Sequence, residues 1–403
     1  MNRAGQGGKV TFAVVILASV FAPRAADAQD LGGVLPPIDA VASGEDPRGV
    51  RIAASLGFRV DGNVGLSASD EEAGSFGLVE MGGAGTISTG VTTLSGGAVL
   101  RREEPVGDAG EPRSGVTFGV RLGWTPMPRI NAQLDARWTE AVEEGVEAPF
   151  QFGSVTRREA RRRVVDASFG NDDVLGIDWT ADLTWSDARF EDVVGGEAVR
   201  AEDRESAIAG FRGRRSFGFG AVESGLSRAW IEDPTGLDTV VDRGWVAVAL
   251  GREAASTLRA RFGIASTDGR LGGGGAFGTL HVQADWRPSA TTNVSAEVSR
   301  DVRVAYVASG LTALREAADV SVGATVGRRS MLEAAVGAWR DEYAGGAEER
   351  AAYFAGTFRF SLRDRTDVFA EARWSRREFA SSEEARFQVT DPSLTVGIRT
   401  QWE

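Results

Sequence analysis

From Val50 the chain alternates with a period of two, and the pattern recurs to its last residues. Val50, Ile52, Ala54, Leu56, Phe58 and Val60 fall on one face, and Arg51, Ala53, Ser55, Gly57, Arg59 and Asp61 on the other. Neighbouring side chains on a strand point to opposite sides of the sheet, so this is a strand with one apolar and one polar face. The same alternation returns in Val116 to Trp124, Ile130 to Trp138, Leu175 to Trp185, Ala276 to Trp286 and Leu394 to Trp402. A helix would group its apolar residues three and four apart, which excludes a helical protein. A soluble sandwich also alternates, so the connections have to decide.

Short and long connections take turns along the chain. The short ones are read at Thr89-Gly90, Thr125 to Pro128, Gly170 to Asp173, Gly213 to Ser216, Gly251 to Ser256, Arg287 to Ala290, Gly327 to Ser330 and Arg363 to Arg365. Longer ones, richer in Glu, Asp or Gly, lie near Asp70, Pro105, Val146, Gly195, Pro234, Gly273, Ser309, Gly346 and Ser382. Tight turns at one end and longer loops at the other are the pattern of an up-and-down transmembrane barrel. Eight turns interleaved with nine loops predict about eighteen strands, with sixteen the alternative, and both termini at the turn end. Gly-Arg-Arg-Ser recurs at 213 and 327, which the spacing places at equivalent turns.

The N-terminal segment reads as an export signal. Arg3 and Lys9 precede an uncharged run from Val10 to Phe21, and Ala26-Asp27-Ala28 puts small residues at the −3 and −1 positions. The run is shorter than the ~20 apolar residues a spanning helix needs. Cleavage after Ala28 is therefore predicted. The expected organisation is a signal peptide over 1–28, a short periplasmic segment over 29–49 and an outer-membrane barrel over 50–403. So little chain before the first strand leaves no room for the plug of a transporter or the passenger of an autotransporter.

Two sets of residues follow from the alternation. Tryptophan prefers the boundary between lipid and water, since its ring is apolar and its N–H needs a polar partner. Trp124, Trp286 and Trp402 lie beside short connections, and Trp138, Trp185, Trp230 and Trp374 beside long ones, so two aromatic belts are expected. The polar faces carry charge in mid-strand, where a dry core could not hold it but a wet lumen could. Arg51, Arg59, Arg121, Arg137, Arg259, Arg261, Arg373 and Arg399 have this parity, as do Asp135, Asp178, Asp182, Asp285, Glu297, Asp319 and Glu371. Such residues either line an aqueous path, where opposed charges set a transverse field, or brace the wall by pairing with one another.

At this point the chain resembles Gram-negative outer-membrane β-barrel proteins. Its last strand, Thr395 to Trp402, is similar to the C-terminal signal read by the barrel-assembly machinery: Gly397 and the aromatic Trp402 match, Thr400 stands where a hydrophobic residue is usual, and Glu403 trails. Pro47-Arg48-Gly49-Val50-Arg51, running into Asp61-Gly62-Asn63-Val64, resembles the opening of the β-barrel porin 2 family, with Gly62 extra. That resemblance implies an outer-membrane pore often linked to surface polysaccharide export and no enzymatic role. It also implies outer-membrane lipid and lipopolysaccharide as surroundings, and the assembly machinery as a partner during biogenesis.

Composition narrows the chemistry. The 403 residues include no Cys, one His and one lysine, Lys9, with a net charge of −12. Thiolate sites and disulfides are excluded, and a lone imidazole, His281, argues against a His-based metal site or triad. A phospholipase-like arrangement with Ser295 and Asn293 on the adjacent strand is a weak coincidence in a Ser-rich face. Net negative charge disfavours nucleic acid. The acidic pairs Glu71-Glu72, Glu103-Glu104, Glu143-Glu144 and Glu348-Glu349 are read as solvated loop tips, with divalent cations bridging lipopolysaccharide as the other possibility. Gly272 to Gly275 is read as a loop tip. The expectation is a barrel with no enzymatic activity, cofactor or metal, passing small polar solutes or a polysaccharide; a loop-plugged structural or adhesive barrel is the alternative.

Overall fold

The computed structural model describes residues 49–63, 73–107, 112–143, 150–151, 154–155, 158–174, 176–192, 204–232, 238–252, 256–268, 274–304, 312–343, 346–363, 365–380 and 386–402. The expected signal peptide, its cleavage site and nearly all of 29–49 lie outside these residues. The described strands are β1 (Gly49–Asp61), β2 (Gly74–Ser88), β3 (Thr92–Pro105), β4 (Arg113–Met127), β5 (Ile130–Glu143), β6 (Phe150–Gln151), β7 (Ser154–Val155), β8 (Arg158–Val174), β9 (Ile177–Asp192) and β10 (Arg204–Phe217). The second half contains β11 (Gly220–Glu232), β12 (Asp238–Arg252), β13 (Ser256–Thr267), β14 (Gly275–Ser289), β15 (Thr292–Val304), β16 (Thr312–Val326), β17 (Ser330–Tyr343), β18 (Glu348–Arg363), β19 (Thr366–Ala380) and β20 (Arg386–Trp402). No helix forms among the described residues.

Eighteen of these strands make one antiparallel sheet in which each pairs with its neighbours in sequence. The sheet closes because β1 pairs with β2 on one side and with β20 on the other, in a register running from Ile52 opposite Trp402 to Asp61 opposite Ser393. Closure removes the edge that an open sheet would present. The remaining pair, β6 and β7, is a small hairpin within the connection between β5 and β8. The eighteen-stranded up-and-down barrel expected from the alternation is the fold observed.

Two turns sit later than the sequence reading put them. Gly170 to Asp173 belongs to β8, with Gly170 opposite Thr180, and Gly213 to Ser216 belongs to β10, with Arg214 opposite Glu223. Thr125 to Met127 likewise ends β4. The two Gly-Arg-Arg-Ser copies are therefore not equivalent: Gly327 makes a turn with φ of 69°, while Gly213 is ordinary strand. Glycine and charge signal a turn only where both faces lose their alternation, and around Gly213 the outer face continues through Phe211 and Phe217.

At the loop end, Asp61 and Asn63 tie the seam. Asn63 donates its backbone N–H to the Asp61 carboxylate at 3.0 Å, its side-chain amide donates to the Thr390 carbonyl at 3.0 Å, and Gly62 N–H donates to the Pro392 carbonyl at 2.7 Å. The Asp-Gly-Asn triplet thus holds the first strand to the last, an Asx-type turn used as a clasp.

The burial is the reverse of a soluble protein's. Leu226 is 69% exposed and Phe262 61%, while Glu223, on the inner face of the same strand as Leu226, is 4% exposed. Apolar side chains cover the outside of the wall, while small, hydroxylated and charged ones line most of the inside, with aromatic rings among them.

Candidate functional site: the inner face of the barrel

The inner face identifies itself by which side chains meet across a skipped strand. Arg59 on β1 reaches Glu103 on β3 at 3.2 Å, and Arg303 on β15 reaches Asp341 on β17 at 2.5 Å. Strands two apart lie about 9–10 Å from one another in a sheet, so such contacts need side chains that converge on its concave side. Following the register from these pairs places every charged residue assigned above to the polar face on this inner side. They are Arg51 and Arg59 on β1, Arg121 on β4, Asp135 and Arg137 on β5, Asp178 and Asp182 on β9, Arg259 and Arg261 on β13, Asp285 on β14, Glu297 on β15, Asp319 on β16, Glu371 and Arg373 on β19, and Arg399 on β20.

Many of them are paired. Arg121 donates to Asp135 at 2.5 Å and Arg373 to Glu371 at 2.7 Å. Arg259 donates to Glu223, and the Tyr353 hydroxyl to Asp319. Asp285 accepts from Thr257 at 3.2 Å and from Gln283 at 3.2 Å. His281 and Glu297 are 2.9 Å apart. His281 stands in register with Ser299, while Ser295 stands opposite Asp285 and Asn293 opposite Gly323, so the three do not converge. No cluster of three His, Asp or Glu side chains suited to a metal occurs among the described residues.

The alternation located the inner face but missed the residues packed most tightly on it. Near the loop end of β15 to β19, Arg315 lies with its guanidinium carbon 4.1 Å from the Trp339 ring centroid, and Arg303 and Arg377 each lie 5.6 Å from it. Asp341 holds Arg315 through two hydrogen bonds of 2.7 and 2.9 Å; Glu349 takes Arg377 and, at 2.6 Å, the Tyr343 hydroxyl. Both carboxylates are fully buried. A second group on β1 to β4 repeats the scheme with Arg59 and Arg113, 5.2 and 4.7 Å from the Phe76 ring centroid, and with Glu103 as their shared carboxylate. Buried charge is tolerated when its partners are fixed around it. These groups brace the wall. Glu103 and Glu349, expected in loops, are inner-face strand residues; Glu104 and Glu348, their neighbours, face outward in the same strands. Parity would have found them, since Trp339, Asp341 and Tyr343 share one face of β17.

A different arrangement lies on β10 to β13. Arg212, Arg214, Arg243, Arg259 and Arg261 share the inner face there, and Glu223 is its one carboxylate among the described residues. The next four strands reverse the balance, with Asp285, Glu297, Asp301, Asp319, Glu333 and Asp341 against Arg303 and Arg315. Arg243 bridges the two sectors, 3.4 Å from Asp301 and 2.7 Å from the Val302 carbonyl.

On the outside, Trp124, Trp138, Trp185, Trp230, Trp286, Trp374 and Trp402 all share the apolar face, as does Trp179, which the alternation also put there but the expected belts did not include. Trp179 packs against Phe169 and Phe211, with centroids 5.6 and 6.1 Å away. Trp185 donates its indole N–H to Glu205 at 2.6 Å. The outer face is not free of charge at the loop end: Arg161 pairs with Glu140, Arg189 with Asp187 and Arg300 with Glu316, at 3.2, 2.8 and 3.6 Å. Strands of 12 to 17 residues rise roughly 28–40 Å at ~3.3 Å per residue and ~45° tilt, more than an apolar band ~25 Å tall requires. Their surplus length accounts for this collar. Gly397 is fixed by packing, because a side chain there would meet the Leu56 carbonyl and the Phe369 ring, each at 2.5 Å.

At the mouth, β7 lies against β20, although five pairings of the sheet separate β5 from β20. The hairpin between β5 and β8 thus comes against the last strand.

No protein-family model and no curated protein matches the sequence. Among solved structures, Pseudomonas aeruginosa OccK2 (OpdF), in complex with glucuronate, is 10% identical, with 88% of this chain and 98% of that one covered and a TM-score of 0.49. A mutant of the ferric enterobactin receptor PfeA from P. aeruginosa is 7% identical, covering 88% and 81%, with a TM-score of 0.49. The siderophore receptor PirA from Acinetobacter baumannii is 7% identical, covering 87% and 80%, with a TM-score of 0.44. The resemblance to the β-barrel porin 2 family rests on the short motifs alone.

Proposed function

We propose that the protein is a passive pore of a Gram-negative outer membrane, passing small polar solutes through its lumen. The observation that carries this reading is the inverted burial of a closed barrel. An apolar surface that runs round the whole wall has no aqueous partner large enough to cover it, and lipid covers it without one. Tryptophans on that surface add the interfacial anchoring that bilayers favour. The inner face is charged and hydroxylated, which water solvates and lipid does not.

Barrels of this strand number hold an aqueous channel. The basic wall of β10 to β13 beside the acidic wall of β14 to β17 would set a field across that channel, orienting dipolar or charged solutes on their way through. Passage of a surface polysaccharide chain is the larger-cargo form of the same reading.

A plugged, structural barrel has one observation in its favour: the β6–β7 hairpin comes against β20, five strand pairings away from β5. Swelling of proteoliposomes in iso-osmotic sugar separates the two. A pore lets mono- and disaccharides in at rates that fall with solute size, whereas a plugged barrel excludes all of them. Deleting residues 146–157 should speed entry if the hairpin narrows the mouth.

A further inference from the structure

Arginine is distributed differently over the two rims of the barrel. At the turn rim, the connection between β4 and β5 carries Arg129, that between β16 and β17 carries Arg328 and Arg329, and that between β18 and β19 carries Arg365, against Glu253 and Asp364 in all eight turns. The nine longer connections hold fourteen acidic residues and three arginines. The negative excess of the sequence therefore gathers at the loop rim, and the turns are the basic end.

The arginines of the two rims also differ in what holds them. On the outer face near the loops, Arg102 pairs with Glu104, Arg228 with Asp242, Arg340 and Arg350 with Glu348, and Arg376 with Glu378. Arg215, Arg328 and Arg329 at the turn rim are exposed and form no ion pair among the described residues. Their backbone is fixed all the same: Arg215 stands in register with Val222 on the outer face, and the Arg329 carbonyl accepts from the Ser361 N–H at 2.8 Å. A guanidinium without a carboxylate, on a fixed turn, is a donor for something outside the chain.

Apolar residues stand beside these arginines at the foot of the wall. Phe219 is 72% exposed and Val326 61%. Phe219 stacks on Phe217 with ring centroids 6.0 Å apart, and the Arg215 guanidinium carbon is 5.6 Å from the Phe217 centroid. An arginine beside an exposed apolar group is the arrangement in which a long side chain keeps its stem against hydrocarbon and its charge among headgroups. The two turns, between β10 and β11 and between β16 and β17, are six strands apart on the rim.

The short turns of such barrels lie on the periplasmic side, where the leaflet is phospholipid rather than lipopolysaccharide. We propose that Arg215, Arg328 and Arg329 bind the phosphate groups of anionic phospholipid in that leaflet, with Phe219 and Val326 set among its acyl chains. The proposal rests on the membrane-barrel reading and is independent of whether the lumen conducts.

The test reconstitutes the full-length protein in phosphatidylcholine vesicles and reads, by electron paramagnetic resonance, how much spin-labelled phosphatidylglycerol and spin-labelled phosphatidylcholine is held at the protein surface. The wild type should favour phosphatidylglycerol at least about twofold, the attraction of a few basic side chains averaged over the whole lipid shell. Arg215→Gln, Arg328→Gln and Arg329→Gln together should bring the two lipids close to parity. Salt at 1 M, which shortens the screening length to about 3 Å, should do the same to the wild type. Arg340→Gln with Arg350→Gln removes two arginines that Glu348 already occupies at the loop rim, and should leave the preference intact. No preference in the wild type, a preference that survives the turn substitutions, or one lost with the loop-rim pair would each overturn the proposal. A wild type without preference that sediments with purified peptidoglycan, and ceases to once the turn arginines are replaced, would overturn it in favour of a wall polymer as the occupant. Vesicles in which neither lipid is held at a protein surface would overturn the membrane reading itself.

Discussion

Two tryptophans face the lumen in the middle and upper parts of the wall, and their neighbours give them opposite characters. Trp339 is enclosed by three guanidiniums that two fully buried carboxylates hold in place. Trp245 stands opposite Gly225 and Gly263, and the Arg261 guanidinium carbon is 5.8 Å from its ring centroid. Both rings are half-buried; the first is surrounded by guanidiniums tied to buried carboxylates, and the second stands between glycines. Both rings stand opposite small residues in register, Ala317 and Ala351 for Trp339 and Gly225 and Gly263 for Trp245, so what distinguishes the first is the paired charge gathered around it.

The comparison breaks most visibly at the carboxylates. Asp341→Ala leaves Arg303 and Arg315 without their shared partner in a buried setting, and removing one member of such a group costs about 3–5 kcal/mol. Urea unfolding of the barrel from lipid vesicles, followed by tryptophan fluorescence, should show that loss; a change smaller than that of an exposed pair would mean that the group is not structural. Trp339→Ala should cost about 3 kcal/mol, at the lower end of the range for large aromatic truncations; a loss no larger than that of an exposed pair would mean that the ring does not hold the three guanidiniums.

The next effect is on selectivity. Replacing Arg259 and Arg261 by Glu turns the most basic sector of the lumen acidic, so the zero-current potential in a salt gradient should move toward cation preference. An unmoved potential would put that sector outside the conduction path. The smallest effect is expected outside. Arg300→Ala breaks an outer pair with Glu316 in which both side chains are about half exposed, and pairs of this kind contribute about 0–1 kcal/mol.

Much of the architecture was legible in the alternation. The face of each predicted lumen charge follows from parity, and the number of strands from counting turns. Two turns were misplaced because Gly170-Asn171-Asp172-Asp173 in β8 and Gly213-Arg214-Arg215-Ser216 in β10 looked like breaks. Phe211 and Phe217 carried the outer face past Gly213, so the strand continued to Phe217. The bracing groups were less legible for a physical reason. Alternation says which side of the sheet a residue takes, but Arg59 and Glu103, or Arg303 and Asp341, meet over an intervening strand, and only the curvature of the closed barrel brings them together. Trp245 and Trp339 had the parity of the lumen all along. The preference of tryptophan for interfaces drew attention to strand ends and away from two that point inward.

The central claim is that the lumen is an open aqueous path, and single-channel recording of the wild-type protein in planar bilayers tests it most directly. The account predicts stepwise, ohmic conductance that scales with bulk salt. Insertion confirmed by protease protection, with no current steps across repeated preparations, would contradict it.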